Sequence, residues 1–388
     1  MAVGQTFFIS LFNDEFQRLL GLNNGQLGGL YAGAMILGSL LVMRLGWIFD
    51  RFDLRVCCLL LLALTVASAV ALATLQSVAL LFAGLFGMRF FGGTMLGLGT
   101  QSAMARYFDD DRGRASAVSN AGLTLGFAIF PLIGTQLIAA FGWRGAWWAV
   151  AAVTIAMMPV VLVQLTGQGR RHDCYLQKIA AVDALPDDSV SRHFTLREML
   201  RDRRFYLLAP GMLAVPGILF TFQFHQLALV NEKGWSLTAF AAGYSLFAGV
   251  SVASNLFVGE VVDRYGSRRM LPFYLLPMIP ALFALAFITH PVAIPIYMIG
   301  MGLTFGAGLV ANTTLWAELF GSRNIGAIRG FVIAMNTIIA SIAMALAGWL
   351  IDAGVSMSHQ ALANGMITVA AAALLVAVSR SMPAKSRG

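Results

Sequence analysis

Charge is what this sequence lacks. Only 11% of its 388 residues are charged, and lysine occurs three times, at Lys178, Lys233 and Lys385. A soluble domain carries about 25% charged residues, so this chain cannot cover a water-facing surface of its size. Cysteine is equally sparse: Cys57, Cys58 and Cys174 form neither a disulfide framework nor a metal-ligand spacing, and all three fall at or near the basic, cytoplasmic side. No basic n-region with a small-residue cleavage site marks a signal peptide. There is no phosphate-cradling glycine loop, no metal cluster and no nucleophile set beside a base. ATP-driven pumping and intramembrane catalysis therefore have no residues to run on; no cofactor or metal is implied, and the chain does not read as an enzyme.

What is abundant is apolar length. The chain is 59% hydrophobic, its mean hydropathy is +0.78, and a membrane-spanning helix needs about 20 such residues. Apolar runs broken by charge, Gly or Pro predict spans at 26–49, 56–75, 78–105, 114–141 and 145–166. A second set follows at 205–231, 238–262, 270–288, 291–317, 325–351 and 360–378. Residues 2–12 form a further run that is too short to cross. The polar, Arg-rich stretch 167–204 reads as a cytoplasmic connector between bundles 1–166 and 205–388. The net charge of +8 is no nucleic-acid footprint. Of 26 Lys and Arg, Arg18, Arg144 and Lys233 fall outside, Arg89 lies within the membrane, and the remaining 22 share the connector's side. That bias places the connector inside. The predicted location is the inner membrane, multi-pass, with both termini cytoplasmic once the first helix is complete.

The two halves repeat. Gly46-x-x-x-Asp50-Arg51-Phe52 returns as Gly259-x-x-x-Asp263-Arg264-Tyr265, an offset of 213 residues that also aligns Gly21 with Gly234, Gly87-Met88 with Gly300-Met301, Gly93 with Gly306, and Gly113 with Gly326. Duplicated halves are how many secondary transporters build two bundles around one midplane site. At the same offset Met1 aligns with Ala214, whereas the seventh span begins near Phe205. The first span is thus expected to lack its opening residues, the true start lying upstream or the sequence being truncated there.

The loop Gly46 to Arg55, its second copy Gly259 to Arg269, and the helix-4 stretch Gly87-Met88-Arg89-Phe90-Phe91-Gly92-Gly93 resemble the signatures of the major facilitator superfamily. The resemblance implies an all-α membrane protein of 12 transmembrane helices in two six-helix bundles, working by alternating access. Gly4-Gln5-Thr6-Phe7-Phe8 and Ala105 to Ala115 resemble the monocarboxylate and oxalate–formate branch. Gln5 and Thr6 stand where monocarboxylate carriers place a Lys, and Ser251 and Asn255 where they place an Asp/Arg pair, so the substrate's identity does not carry over. In the family fold, helices 2 and 11 meet, as do helices 5 and 8. That implies Asp50 near the start of helix 11 and Asp263 near the start of helix 5, where a helix N-terminus favours a carboxylate. Arg329 and Arg114 would pair with them, and Gly46 and Gly259 would allow close approach. The motif, with Arg51 and Arg264, is either a cytoplasmic latch or a plain topological anchor.

Polar residues inside the spans are few, and no acid among the 18 lies deep. A carrier of organic cations would want a buried carboxylate. Arg89 costs roughly 2.5–3.5 kcal/mol at midspan; it is an anion anchor, a modulator of a proton site, or a peg holding helix 4. His225 is the one deep side chain titrating near neutrality, either proton-coupling or packing. Asn120, Gln223, Asn255, Asn312 and Asn336 are candidate substrate contacts or helix–helix hydrogen bonds; Phe127, Phe220 and Phe222 read as packing. Thr195-x-x-Glu198 is a capping box opening a basic amphipathic stretch to Arg204. The residues together favour a monomeric, proton-coupled carrier of a small organic anion, a monocarboxylate above all. The partners implied are that solute, protons and the lipid bilayer, with no nucleic acid. A neutral or amphipathic exporter and a non-transporting sensor are the alternatives.

Overall fold

The computed structural model describes residues 4–45, 48–100, 112–166, 194–271, 273–320 and 325–381. Every regular element among them is helical, and nine stretches among them are long and apolar enough to cross a membrane. The chain divides into two units, residues 1–22 with 30–190, and residues 23–29 with 191–388.

In the first unit the chain opens with short helical pieces, Thr6–Ile9, Ser10–Phe12 and Asn13–Leu20. Asn24–Leu45, Leu54–Ala73 and Val78–Gly87 follow. Asp53 starts the helix 54–73 by accepting from the N–H of Arg55 at 2.8 Å, and Ser77 caps the helix 78–87 through the N–H of Leu80. The long run Arg112–Gln164 contains one non-helical residue, Gly142 (φ 68°, ψ 170°), and so is two helices joined there. Glycine reaches that backbone geometry without a Cβ penalty, which is why the sequence breaks between 141 and 145. Arg144 secures the joint, donating to the Leu75 carbonyl at 3.2 Å and lying over the Trp143 ring. Phe8 and Phe12 pack on Trp147, the latter with centroids 4.6 Å apart, and Phe127 packs on Phe7 at 4.3 Å.

The second unit holds Arg203–Phe224, Gln226–Lys233, Leu237–Tyr265, Met278–Phe287, Ala293–Phe320, Ile325–Asp352 and Met357–Ser381. Two expectations need correction. The span 205–231 is not one helix: it stops at Phe224 and resumes at Gln226, with His225 (φ −94°, ψ 25°) between. Among the described residues the span 270–288 is helical only as Ser267–Met270 and Met278–Phe287, with turns at 273–277 before the second piece. Pro277 has no N–H to continue the ladder, so the helix restarts after it. The amphipathic stretch is also divided. Thr195 and Glu198 do form the capping box, on the four-residue helix Leu196–Met199, and Asp202 then caps a new helix through the N–H of Arg204.

Carboxylates close two helix starts in this unit. Glu232 accepts from the N–H and hydroxyl of Ser358 at the head of the helix 357–381. Asp352 accepts from the N–H of Asn24 (3.0 Å) and of Gly25 (2.6 Å), at the head of the helix 24–45. The repeat is visible in backbone geometry. Gly21 (φ 65°, ψ 29°) and Gly234 (φ 66°, ψ 27°) end equivalent helices in the left-handed conformation. A Cβ on Gly87 would collide with Ser68, and one on Gly300 with Ala281 and the Pro277 carbonyl; Ser68 and Ala281 are themselves 213 residues apart. Gly300→Val is therefore expected to destabilise the second unit by about 1–3 kcal/mol, read as a lowered melting temperature in detergent, whereas Gly249→Val, at a position with open space around it, should leave melting unchanged.

Candidate functional site

Helix 78–87 winds normally until Gly87. From Met88 to Met95 it becomes a π helix, in which each N–H reaches back five residues rather than four. Such segments are uncommon and concentrate at functional sites. Arg89 lies in this segment, half-buried. Its side chain folds back over Gly93, where a Cβ would stand 3.0 Å from Nη1 and 3.2 Å from the Gly4 carbonyl. Gly4 in turn sits directly on the Met88 carbonyl, with no room for a side chain. This double glycine contact brings Gln5 to Arg89, and Nη1 donates to Gln5 Oε1 at 2.9 Å.

Next to Gln5 in the chain, the buried hydroxyls of Thr6 and Tyr31 are hydrogen-bonded to each other at 3.0 Å. Arg89 Nε is buried and has no hydrogen-bond partner. The ion pairs among the described residues are Arg18–Glu15, Arg204–Asp202 and Arg264–Glu260; Arg89 is in none of them. A guanidinium presents its donors as planar forks that match two carboxylate oxygens. Here Gln5 takes Nη1, and Nε has no partner among the described residues.

Other expected site residues fall as follows. His225 is buried at the helix break, with Nε2 2.9 Å from the Met344 carbonyl. Asn255 donates to the Gly306 carbonyl at 3.4 Å, a helix–helix bond. Gln223 is 1% exposed, and neither of its side-chain polar atoms has a partner; Asn336 Oδ1 is likewise unpartnered. Arg264 pairs with Glu260 on its own exposed helix face. Nothing among the described residues lies within 4 Å of the Cβ that Gly259 lacks. Gly46 lies outside the described residues, as do the side chains of Asp50, Arg51, Arg114, Asn120, Asp263, Asn312 and Arg329.

Sequence reasoning did not assign Thr6 or Tyr31 a place at the site. A signal for Tyr31 existed: at the offset of 213 it aligns with Tyr244, which is also buried and donates to Gln226 Oε1 at 3.1 Å. Arg89 itself has no such twin, for Gly302 occupies the equivalent position, in a segment that runs as ordinary α helix within Ala293–Phe320.

The family model described as Major Facilitator Superfamily matches residues 1–343 and 226–388. Among solved structures, the chain is similar to a bacterial homologue of the human lysosomal transporter Spinster, solved inward-facing and unoccupied. The TM-score is 0.73 at 15% identity, over 98% of this chain and 94% of that one. It is also similar to the nucleoside transporter NupG, with a TM-score of 0.70 at 13% identity over 98% of each chain. At these identities the likeness is one of fold. No curated protein sequence matches.

The unpaired guanidinium yields a direct test. Arg89 Nη1 already bonds Gln5 Oε1, so a carboxylate at position 5 adds charge-to-charge attraction without a second helix having to move. Gln5→Glu should raise the melting temperature of the purified protein by roughly 2–4 °C, and Gln5→Leu should lower it, in thermal unfolding followed by intrinsic fluorescence.

Proposed function

The chain belongs to the Major Facilitator Superfamily, and on that premise we propose that it carries a small organic anion, a monocarboxylate moved together with a proton. The observation that carries this reading is Arg89: a guanidinium in a membrane helix with no carboxylate of its own, one nitrogen engaged by an amide and Nε without a partner. A bound carboxylate would neutralise it and complete its hydrogen bonds. Such a ligand also explains why an Arg is tolerated at midspan at all.

The proton is assigned to His225. Its Nε2 donates to the Met344 carbonyl, a bond that the neutral ring and the cation both make. Nδ1 is then the atom that takes and releases the proton. Moving anion and proton together transfers no net charge, which avoids the cost of about 2.3 kcal/mol per charge per 100 mV. Gating is assigned to the duplicated loops, with Asp50 and Asp263 as capping carboxylates; Gln223, Asn255 and Asn336, with Asn120 and Asn312, would contact the rest of the solute. We place both termini in the cytoplasm of an inner-membrane monomer. A neutral solute is the second reading, favoured by the two unpartnered amide atoms of Gln223 in a unit that offers no buried charge of its own among the described residues.

Liposomes with a trapped pH dye separate these readings. Lactate, pyruvate, formate, oxalate and larger acids are added singly, with protein-free vesicles correcting for passive leakage. Protein-dependent internal acidification by one acid is the expected result, abolished by Arg89→Gln and reduced by Arg89→Lys, which keeps the charge and loses the fork. No acidification by any acid, from protein that exchanges a neutral solute, would establish the second reading instead. His225→Gln keeps a donor for Met344 without a titrating group. It should therefore retain exchange of labelled acid at equal concentrations while losing uptake driven by a pH gradient.

A further inference from the structure

We propose that Thr94 is a positioning residue for Arg89: its hydroxyl holds the Arg89 carbonyl in the π register and so sets the direction in which the guanidinium is presented. The consequence for transport rests on reading Arg89 as the anion contact; the geometry itself does not.

Hydroxyls in helices commonly bond back to a carbonyl one turn earlier. In this protein the step is four residues at Thr65, Ser68, Thr100, Thr154, Thr221, Thr337, Ser341 and Thr368. Thr94 instead reaches five residues back, to the carbonyl of Arg89 at 3.1 Å. In an α turn that carbonyl would accept from the N–H of residue 93; π winding passes it to residue 94. The Thr94 hydroxyl thus bonds one of the carbonyls whose partner changes between the two registers, the one on the residue whose side chain carries the charge.

The duplicated half supplies the control. At the offset of 213, Thr94 corresponds to Ala307, Arg89 to Gly302 and Gly4 to Gly217. The second copy has no hydroxyl at this position and no guanidinium, and it is wound as α helix throughout. Its Gly217 has no neighbour closer than 3.5 Å to a would-be Cβ, whereas Gly4 is pressed against the Met88 carbonyl. The π turn is therefore no requirement of the fold; it accompanies Thr94, Arg89 and the seat for Gln5. A return to the α register would rotate Arg89 by about 100° relative to the residues that follow, carrying Nη1 away from Gln5.

The first test needs no substrate. The stabilisation expected from Gln5→Glu depends on Arg89 facing position 5, so it is measured by thermal unfolding in parent, Thr94→Val and Thr94→Ser backgrounds as a double-mutant cycle. The upward shift, about 2–4 °C in the parent, should vanish with valine, which keeps the shape, and return with serine, which keeps the hydroxyl. An equal shift in the valine background would overturn the proposal, as would the absence of any shift in the parent. The second test is transport. Thr94→Val should raise KM for the carried acid by on the order of tenfold with maximal rate retained, and serine should restore it. Should KM stay at the parent value, or the rate and melting temperature fall together without rescue by serine, Thr94 has no positioning role. If the parent carries no acid, the anion reading fails and the unfolding cycle still decides the geometry.

Discussion

Inside a bilayer no water is available to a backbone N–H or C=O, and each one left open costs several kcal/mol. Several departures from a regular helix among the described residues are accordingly met by a particular group. The Thr94 hydroxyl takes up the Arg89 carbonyl where the helix is wound as π. Trp235 Nε1 and Lys233 Nζ donate to the carbonyls of Thr289 and Ile288, past the end of the helix 278–287. Tyr274, in the proline-broken stretch before that helix, donates its hydroxyl to the Gly211 carbonyl. Glu232 and Asp352 close the heads of helices 357–381 and 24–45. These are the places where the few polar residues of a chain poor in them have been used.

The same constraint sharpens the meaning of the groups left unrepaired. Arg89 Nε and both polar atoms of Gln223 are buried without partners. Asn255, by contrast, is satisfied by the Gly306 carbonyl, and His225 Nε2 by that of Met344. An unsatisfied charge in one repeat and an unsatisfied amide in the other mark where the duplicated architecture has diverged. Gly21 and Gly234, the Gly87 and Gly300 crossings, and Tyr31 and Tyr244 keep the ancestral plan. Arg89, Thr94 and Gly4 depart from it together, in one place, around one guanidinium.

The sequence by itself determined the membrane class, most helix positions, the break between residues 141 and 145, the repeat offset and the family, because each rests on local composition or on spacing along the chain. Apolar runs become helices whatever their neighbours, and a glycine at φ 68° marks its own joint. Arg89 was also legible, since a lone charge in an apolar run is conspicuous without any coordinates. Only the tertiary structure decided what that charge touches. Gln5 meets it across 84 residues of chain. Periodicity could not foresee the π turn either, because α and π windings differ by one hydrogen-bond step and draw on the same residues. The interruptions at His225 and around Pro277 belong here too: proline announces a possible break, but the surrounding packing selects which turn yields. Contacts between residues far apart in sequence are set by how helices cross, and a one-dimensional pattern carries the faces of helices but not the partners those faces find.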